Sequence, residues 1–540
     1  MTSILVLALL LAQQAAPPEK CTLAGTVVDS VTGMPLGKAI VVAERGSGGD
    51  DDASTMTDAK GNFVMIDVEP GQYHLAAQRR GYTEGYYGAR RASGTGTAIA
   101  LTAGEKAEDL RIKLVPFGVI AGVVRDTDGE PLEGAEVGVL KSFNNFNTMG
   151  EPRMLLVGNA TTDDLGQYRI ADLSPGKYYV GAAPELRRGK SVGVDHSVKS
   201  SDSPEVPVAA MYPGTANPAN ARPVEVAPGS RLTGVDITIV RSRLYKVAVH
   251  VEAPPGLRAS ASLSYAFADI GGPGNAREDK ANGDLVISGV PPGTYVMHVV
   301  VSGSDQAQGA SDTRVPMYCE TNIPVTVDRH DVEGLRVAVS GCAVAEGHVT
   351  VDGADRNELG GSMVDFDHGR RNAAIKPVGS FATSLSTGAS SLDMSRITRE
   401  RPLYVKSIRS GNQDVLRNGF TVATAERIEL EVVLGSDGGR VDGVVSDADD
   451  KPLAGATVVL IPNDPALRTR LDFIKDSVTD QSGHFELKNA APGEYKLFAW
   501  DDIEPGSWFD PDVVPGVETK GEPVTVKAKD LATVKLHVIQ

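Results

Sequence analysis

Four times along this 540-residue chain a glycine is followed nine positions later by a proline: Gly61 and Pro70, Gly166 and Pro175, Gly283 and Pro292, Gly483 and Pro492. Each proline opens the same kind of turn: Pro70-Gly71-Gln72-Tyr73, Pro175-Gly176-Lys177-Tyr178, Pro292-Gly293-Thr294-Tyr295 and Pro492-Gly493-Glu494-Tyr495. A constant interval between two turn signals is what one strand of fixed length requires. Glycine supplies the positive φ of the first turn, and proline presets φ at the second corner. Between them, alternation starting at Phe63, Tyr168, Leu285 and Phe485 turns one strand face toward a core.

Upstream, three of the copies also share a first half. Gly25-Thr26-Val27-Val28, Gly122-Val123-Val124 and Gly443-Val444-Val445 read as strands. Each is followed by a Gly/Asp/Pro turn that ends in Pro35-Leu36-Gly37-Lys38-Ala39, Pro131-Leu132-Glu133-Gly134-Ala135 or Pro452-Leu453-Ala454-Gly455-Ala456. A second alternating strand and a Thr-Asp turn (Thr57-Asp58, Thr162-Asp163, Thr479-Asp480) complete the pattern. The copy after Leu244 keeps only its second half. In 341–434 only Gly379-Ser380-Phe381 and Tyr404-Val405-Lys406-Ser407-Ile408 occupy corresponding strands. Internal repetition on this scale means an array of similar modules.

These motifs resemble the carboxypeptidase regulatory-like domain, a transthyretin-like β-sandwich akin to the B-type repeats of collagen adhesins. The resemblance implies an all-β fold of tandem transthyretin-like or Ig-like antiparallel β-sandwich modules in an elongated string, in the manner of a bacterial multi-module protein. It places modules at 20–116, 117–243, 244–340, 341–436 and 437–540, the first two including a connecting segment. It implies no catalytic residues; metallocarboxypeptidases carry such a module beside a catalytic domain, whereas here the modules stand alone. An adhesin-type Lys–Asn isopeptide would use Lys38 as donor, but no partner Asn and Glu can be matched to it.

Composition agrees with many short strands. Gly and Pro together make about 17% of the chain against a usual ~12%, while aromatic residues are only 5%. Apolar residues at 41% provide real cores. The net charge of −17 repels phosphate backbones, so nucleic acid is not an expected partner. Ile4 to Ala12 is an apolar run too short to cross a bilayer but suited to a signal peptide. Cleavage near Ala16 is expected, although Met1-Thr2-Ser3 lacks a basic residue. The expectation is therefore export to the periplasm, outer surface or extracellular space, with no transmembrane span in the mature chain. Of the three cysteines, Cys319 and Cys342 flank one module boundary and form the candidate disulfide, leaving Cys21 reduced.

Several motifs invite chemistry and fail on context. Gly189-Lys190-Ser191 lacks the upstream glycine and the strand-to-helix frame of a phosphate loop, and Gly189 to Gly193 lacks the frame of a nucleophile elbow. His330-Asp331-Val332-Glu333 has HxxE spacing but sits at the turn before a repeat's last strand, with no third ligand in pattern. Asp50-Asp51-Asp52, Asp126 with Asp128, and Asp447 with Asp449 and Asp450 offer oxygens to calcium, yet Asp-Gly turns want the same residues. No metal and no cofactor is expected.

Trp500 and Trp508, beside acidic residues, are the candidate aromatic platform for a sugar; the alternative is that they pack a core. Tyr86, Tyr87 and Tyr212 in the connecting segments carry the same two readings. The expected function is a non-enzymatic exported binding or scaffold protein whose partner is an envelope protein or polysaccharide. The alternative is a carbohydrate-binding protein using the last module's aromatics. If the modules fold separately, emptying a core site such as Phe485 should unfold residues 438–540 alone.

Overall fold

The computed structural model describes residues 19–539 except 46–52, 92–93, 95, 145–151, 185–203, 218–219, 266–267, 305–315, 340–341, 353–358, 368–370, 424–426, 469, 504–505 and 510–512. The run Ile4 to Ala12, where a signal peptide is expected, the Gly189-Lys190-Ser191 motif and Asp50 to Asp52 lie outside the described residues. The chain divides into two compact units, Met1–Leu114 and Val115–Gln540.

The first unit is one β-sandwich of eight strands: β1 (Cys21–Asp29), β2 (Ile40–Arg45), β3 (Ala53–Met56), β4 (Asn62–Val68), β5 (Gly71–Gln78), β6 (Gly85–Tyr86), β7 (Ile99–Leu101) and β8 (Lys106–Leu114). One sheet runs β4-β1-β8; the other runs β3-β2-β5-β6, with β7 also pairing β5. β1 is antiparallel to β4 and parallel to β8, with Val27 beside Ile112. Inward residues of both sheets (Leu23, Val27, Phe63, Met65, Tyr73, Leu75, Ile112) form the core. Alternation is what selects them: along β4 Phe63 and Met65 are buried and Val64 and Ile66 exposed.

The second unit repeats this first sheet four times. Strands Gly118–Arg125, Tyr245–Glu252, Cys342–Val351 and Gly439–Ser446 each pair antiparallel with the strand that follows the turn glycine. Each also pairs in parallel with a later strand or strands of its own copy. The 341–434 stretch therefore keeps the topology that its sequence barely shows. The connecting segments also become sheet: Tyr86 lies in β6 beside β5, and Ala210–Met211 pairs with Gly176–Ala183. They are edge strands of their sandwiches and not linkers. Val206–Val208 pairs antiparallel with Val240–Ser242.

The nine-residue interval has a physical cause. Gly61, Gly166, Gly283 and Gly483 all lie at φ between +69° and +76°. At Gly61 a Cβ would also meet the Val27 carbonyl oxygen at 2.8 Å, so the turn closes directly over the first strand. Six residues on, Asp67, Asp172, Gly289 and Asn489 are again left-handed and mark a β-bulge in each ladder. At the far end the Pro-Gly-x-Tyr tyrosine is buried, and its hydroxyl donates to the carbonyl four residues upstream. The bonds are Tyr73 to Glu69 at 3.0 Å, Tyr178 to Ser174, Tyr295 to Pro291 at 2.7 Å and Tyr495 to Ala491 at 2.8 Å.

The Thr-Asp signal and the Pro-Leu signal meet through one buried hydroxyl. Thr57 Oγ1 accepts from the Ala39 amide and donates to the Leu36 carbonyl; Thr162 does so with Ala135 and Leu132, and Thr479 with Ala456 and Leu453. The neighbouring aspartates, Asp58, Asp163 and Asp480, accept two backbone amides each within the turn. Replacing Thr479 with Val keeps the shape but strands a buried amide and a carbonyl, so it should cost about 1–3 kcal/mol. Urea denaturation measures the loss, and Thr479→Ser, which keeps the hydroxyl, should recover most of it.

Candidate functional site: a buried ionic junction

The residues picked from sequence fall into three groups. Trp500 and Trp508 are buried, at 7% and 6% exposure, in an apolar cluster with Val459, Phe498, Val514 and Ile539. Phe498 and Trp500 stack with ring centroids 5.6 Å apart. The sugar-platform reading of the two tryptophans is corrected accordingly: their faces are spent on core packing. Tyr86, Tyr87 and Tyr212 are half-buried, with Tyr87 and Tyr212 packed against the cores of their own sandwiches. Cys319 and Cys342 form a disulfide with Cα atoms 5.6 Å apart, while buried Cys21 stays a free thiol that donates to the Thr102 carbonyl.

The acidic turns are explained by backbone capping. Asp126 accepts the amides of Asp128 and Glu130, and Asp447 those of Asp449 and Lys451, each at 2.9 Å. Lys38 is exposed in a turn at φ +59°. Asp331 of the HxxE stretch accepts the Lys246 amide at 2.8 Å. Among the described residues no group of three or more His, Cys, Asp or Glu is placed to hold a metal ion.

The densest chemistry lies where nothing was marked in the sequence. After strand Thr457–Pro462 the chain turns through a short 3-10 segment, Pro465–Leu467, capped by Asp464. It then inserts Leu467 and Phe473 into the core formed by 343–434, beside Phe366, Met394 and Ile397. Carried with them are Arg470 and Asp472, both buried. Arg470 Nε donates to Asp472 Oδ1 at 2.9 Å, and its Nη2 donates to the Leu392 carbonyl, also at 2.9 Å. Asp472 in turn accepts the Met394 amide at 3.4 Å. On the surface Arg417 Nε donates to Asp464 at 2.8 Å, and the hydroxyl of buried Tyr404 donates to Asp437 at 2.9 Å. A shared core and a buried ion pair join 343–434 to 439–539. That packing opposes the expectation that the last module unfolds alone.

A second carboxylate faces the pair. Burial and the nearby charge of Asp472 push the Asp393 carboxyl up to about 6, against the opposing effects of Ser395 and Arg470. Opposite Asp393 in the ladder, burial also pushes Asp365 up while Arg396 at 3.3 Å pulls it down. Partial desolvation lowers half-buried Lys475.

One further junction bears on the Cys319–Cys342 bridge. Ser384 and Ser386 accept the amides of Tyr318 and Glu320 at 3.0 Å, capping the edge strand Pro316–Val327. The Arg371 guanidinium lies 3.7 Å from the Tyr318 ring centroid.

The family model of the carboxypeptidase regulatory-like domain matches residues 22–115 and 119–202, so the chain carries that domain in two tandem copies. The solved structures it is similar to include the TIE protein of Bacillus anthracis, at 12% identity over 95% of this chain and 72% of that one, TM-score 0.16. A minor pilin of Streptococcus agalactiae matches at 13% identity over 41% of this chain and 95% of that one, TM-score 0.23. The shaft pilin SpaA of Lactobacillus rhamnosus GG matches at 13% over 42% and 98%, TM-score 0.20. No curated protein matches the chain.

Two expectations follow. Arg470→Ala leaves Asp472 buried without its partner and should cost about 3–5 kcal/mol. Hydrogen exchange should report the loss in 343–434 as well as in 439–539. The raised Asp393 carboxyl means that the folded chain holds a proton which the unfolded chain, titrating near ~4, releases. The Asp393 contribution to stability is therefore present at low pH and lost as pH rises through about 6. From pH 5 to pH 7 that loss should be about 1 kcal/mol. Asp393→Asn should remove this slope in parallel melts of the two proteins.

Proposed function

We propose that the chain is an exported, non-enzymatic binding or scaffold protein, composed of five sandwich modules at 20–116, 117–243, 244–340, 341–436 and 437–540. Its role is to hold surfaces in fixed relation for an envelope protein or polysaccharide partner. The observation that carries the reading is the Cys319–Cys342 disulfide at one junction. Such bonds persist outside the reducing cytosol, and this one reinforces a junction between domains and not a catalytic cleft. Two tandem regulatory-like domains, a family implying no catalytic residues of its own, support the same reading. No helix among the described residues is long and apolar enough to cross a membrane. The carbohydrate alternative rested on Trp500 and Trp508, and their burial withdraws its main support.

Fractionation of the producing cell with thiol mapping tests the location. The expected outcome is an exported chain, shortened near Ala16, in which only Cys21 alkylates in denaturant before reduction. A cytoplasmic chain with all three cysteines reactive would overturn it. A pulldown from envelope extract alongside a glycan screen then identifies the partner class.

A further inference from the structure

On the outer face of the sheet formed by Arg258–Tyr265, Gly293–Ser304 and Pro316–Val327, three side chains line up in sequence. Ala261, Leu263, Met297 and Val299 point into the core, so Ser262, Ser264 and His298 occupy the opposite face. Asn322, directly opposite His298 in the ladder, is exposed beside them. His298 Nδ1 lies 2.8 Å from Asn322 Oδ1, and Nε2 lies 2.7 Å from Ser264 Oγ. An amide oxygen can only accept, so Nδ1 carries the proton and Nε2 presents its lone pair to the serine hydroxyl. This is the order nucleophile, base, orienter, with both contacts inside hydrogen-bond reach. The residues come from three strands and share no local motif.

We propose that Ser264 is a base-activated nucleophile that takes up an acyl group from a thioester or aryl ester. Ser264 Oγ bonds to the acyl carbon as its proton passes to His298 Nε2. The bond from that carbon to sulfur or aryl oxygen then breaks, and the leaving group takes the proton from Nε2. The products are an O-acyl serine and a free thiol or phenol, and no oxidant, reductant or metal enters. Asn322 acts as a positioning residue by holding the tautomer.

The surroundings set the donor class. Toward Val296 the strand amides are engaged in a regular ladder and are not free to form an oxyanion hole, while toward Gly271 the register shifts on both sides of Ser264. General-base help alone contributes about 10²–10⁴-fold, whereas amides and unactivated esters also need the oxyanion held. Good leaving groups need it least. The expected event is one acylation per chain, a modification that extends the scaffold reading and does not depend on it.

The test uses the purified full chain with p-nitrophenyl acetate and, separately, an acetyl thioester, followed by peptide mass spectrometry. Ser260 and Ser262 on the same strand are internal controls. Acetylation of Ser264 should run at least about tenfold faster than at either control. His298→Gln should bring it down to their rate, Asn322→Ala should slow it several-fold, and Asn322→Asp should preserve it. Asn322 is exposed, so these last two variants keep the test intact if His298→Gln does not fold. Equal labelling of the three serines, or unchanged labelling in the folded His298 and Asn322 variants, would overturn the assignment. So would Ser264→Ala consuming ester at the unsubstituted rate. The readout is an adduct on an isolated protein, so neither the partner nor the cellular location affects it.

Discussion

The threonine hydroxyl at the hairpin corner is the interaction on which each well-formed sandwich depends. Thr57, Thr162 and Thr479 each satisfy an amide and a carbonyl that would otherwise be buried without partners. The same corner receives the turn glycine, whose carbonyl accepts from the first strand, as Gly61 does from Val27 and Gly483 from Val445. Two sheets are thereby tied at one point, and the strand leaving the glycine can only run along the first strand. Everything downstream follows from that direction: the bulge at the sixth residue, the proline corner at the ninth, and the tyrosine that closes back four residues. Even 343–434, without the threonine, keeps the glycine contact, where the Val349 amide donates to Gly379 at 2.8 Å.

Much of this was legible because turn chemistry is local. A required positive φ and a required proline leave fixed marks at fixed intervals, and Phe63, Tyr168 and Phe485 were readable as core from alternation. The threonine clamp could have been read too, since Thr precedes the turn Asp in all three full copies. The Asp67, Asp172 and Asn489 bulges were harder to see, because aspartate and asparagine enter left-handed backbone without announcing it.

The junction between 343–434 and 439–539 was not legible, for a different physical reason. Burial of Arg470 and Asp472 depends on Leu392, Leu416 and Met394, about 55 to 80 residues earlier, and no periodicity encodes such a meeting. A hint existed in the alternation of charge with bulk through Leu467, Arg470, Leu471, Asp472 and Phe473, where a solvated loop would have been polar throughout. The tryptophans misled in the opposite sense. Flanking acidic residues suggested exposure, but the helix Val513–Val517 and the chain end at Ile539 cover them.

One feature of the sheets bears on mechanics. In every sandwich the first strand lies parallel to and bonded with a strand near the end of its copy, as Val344 to Val351 lie alongside Arg427 to Leu434. Tension along the polypeptide would pull these two neighbours in opposite directions along their own axes. The backbone bonds between them would then bear load side by side and yield together, where a hairpin peeled from its end loses them one at a time. Anchored at one end and pulled at the other, such a chain would resist stretching at the seam that joins the beginning of each sandwich to its end.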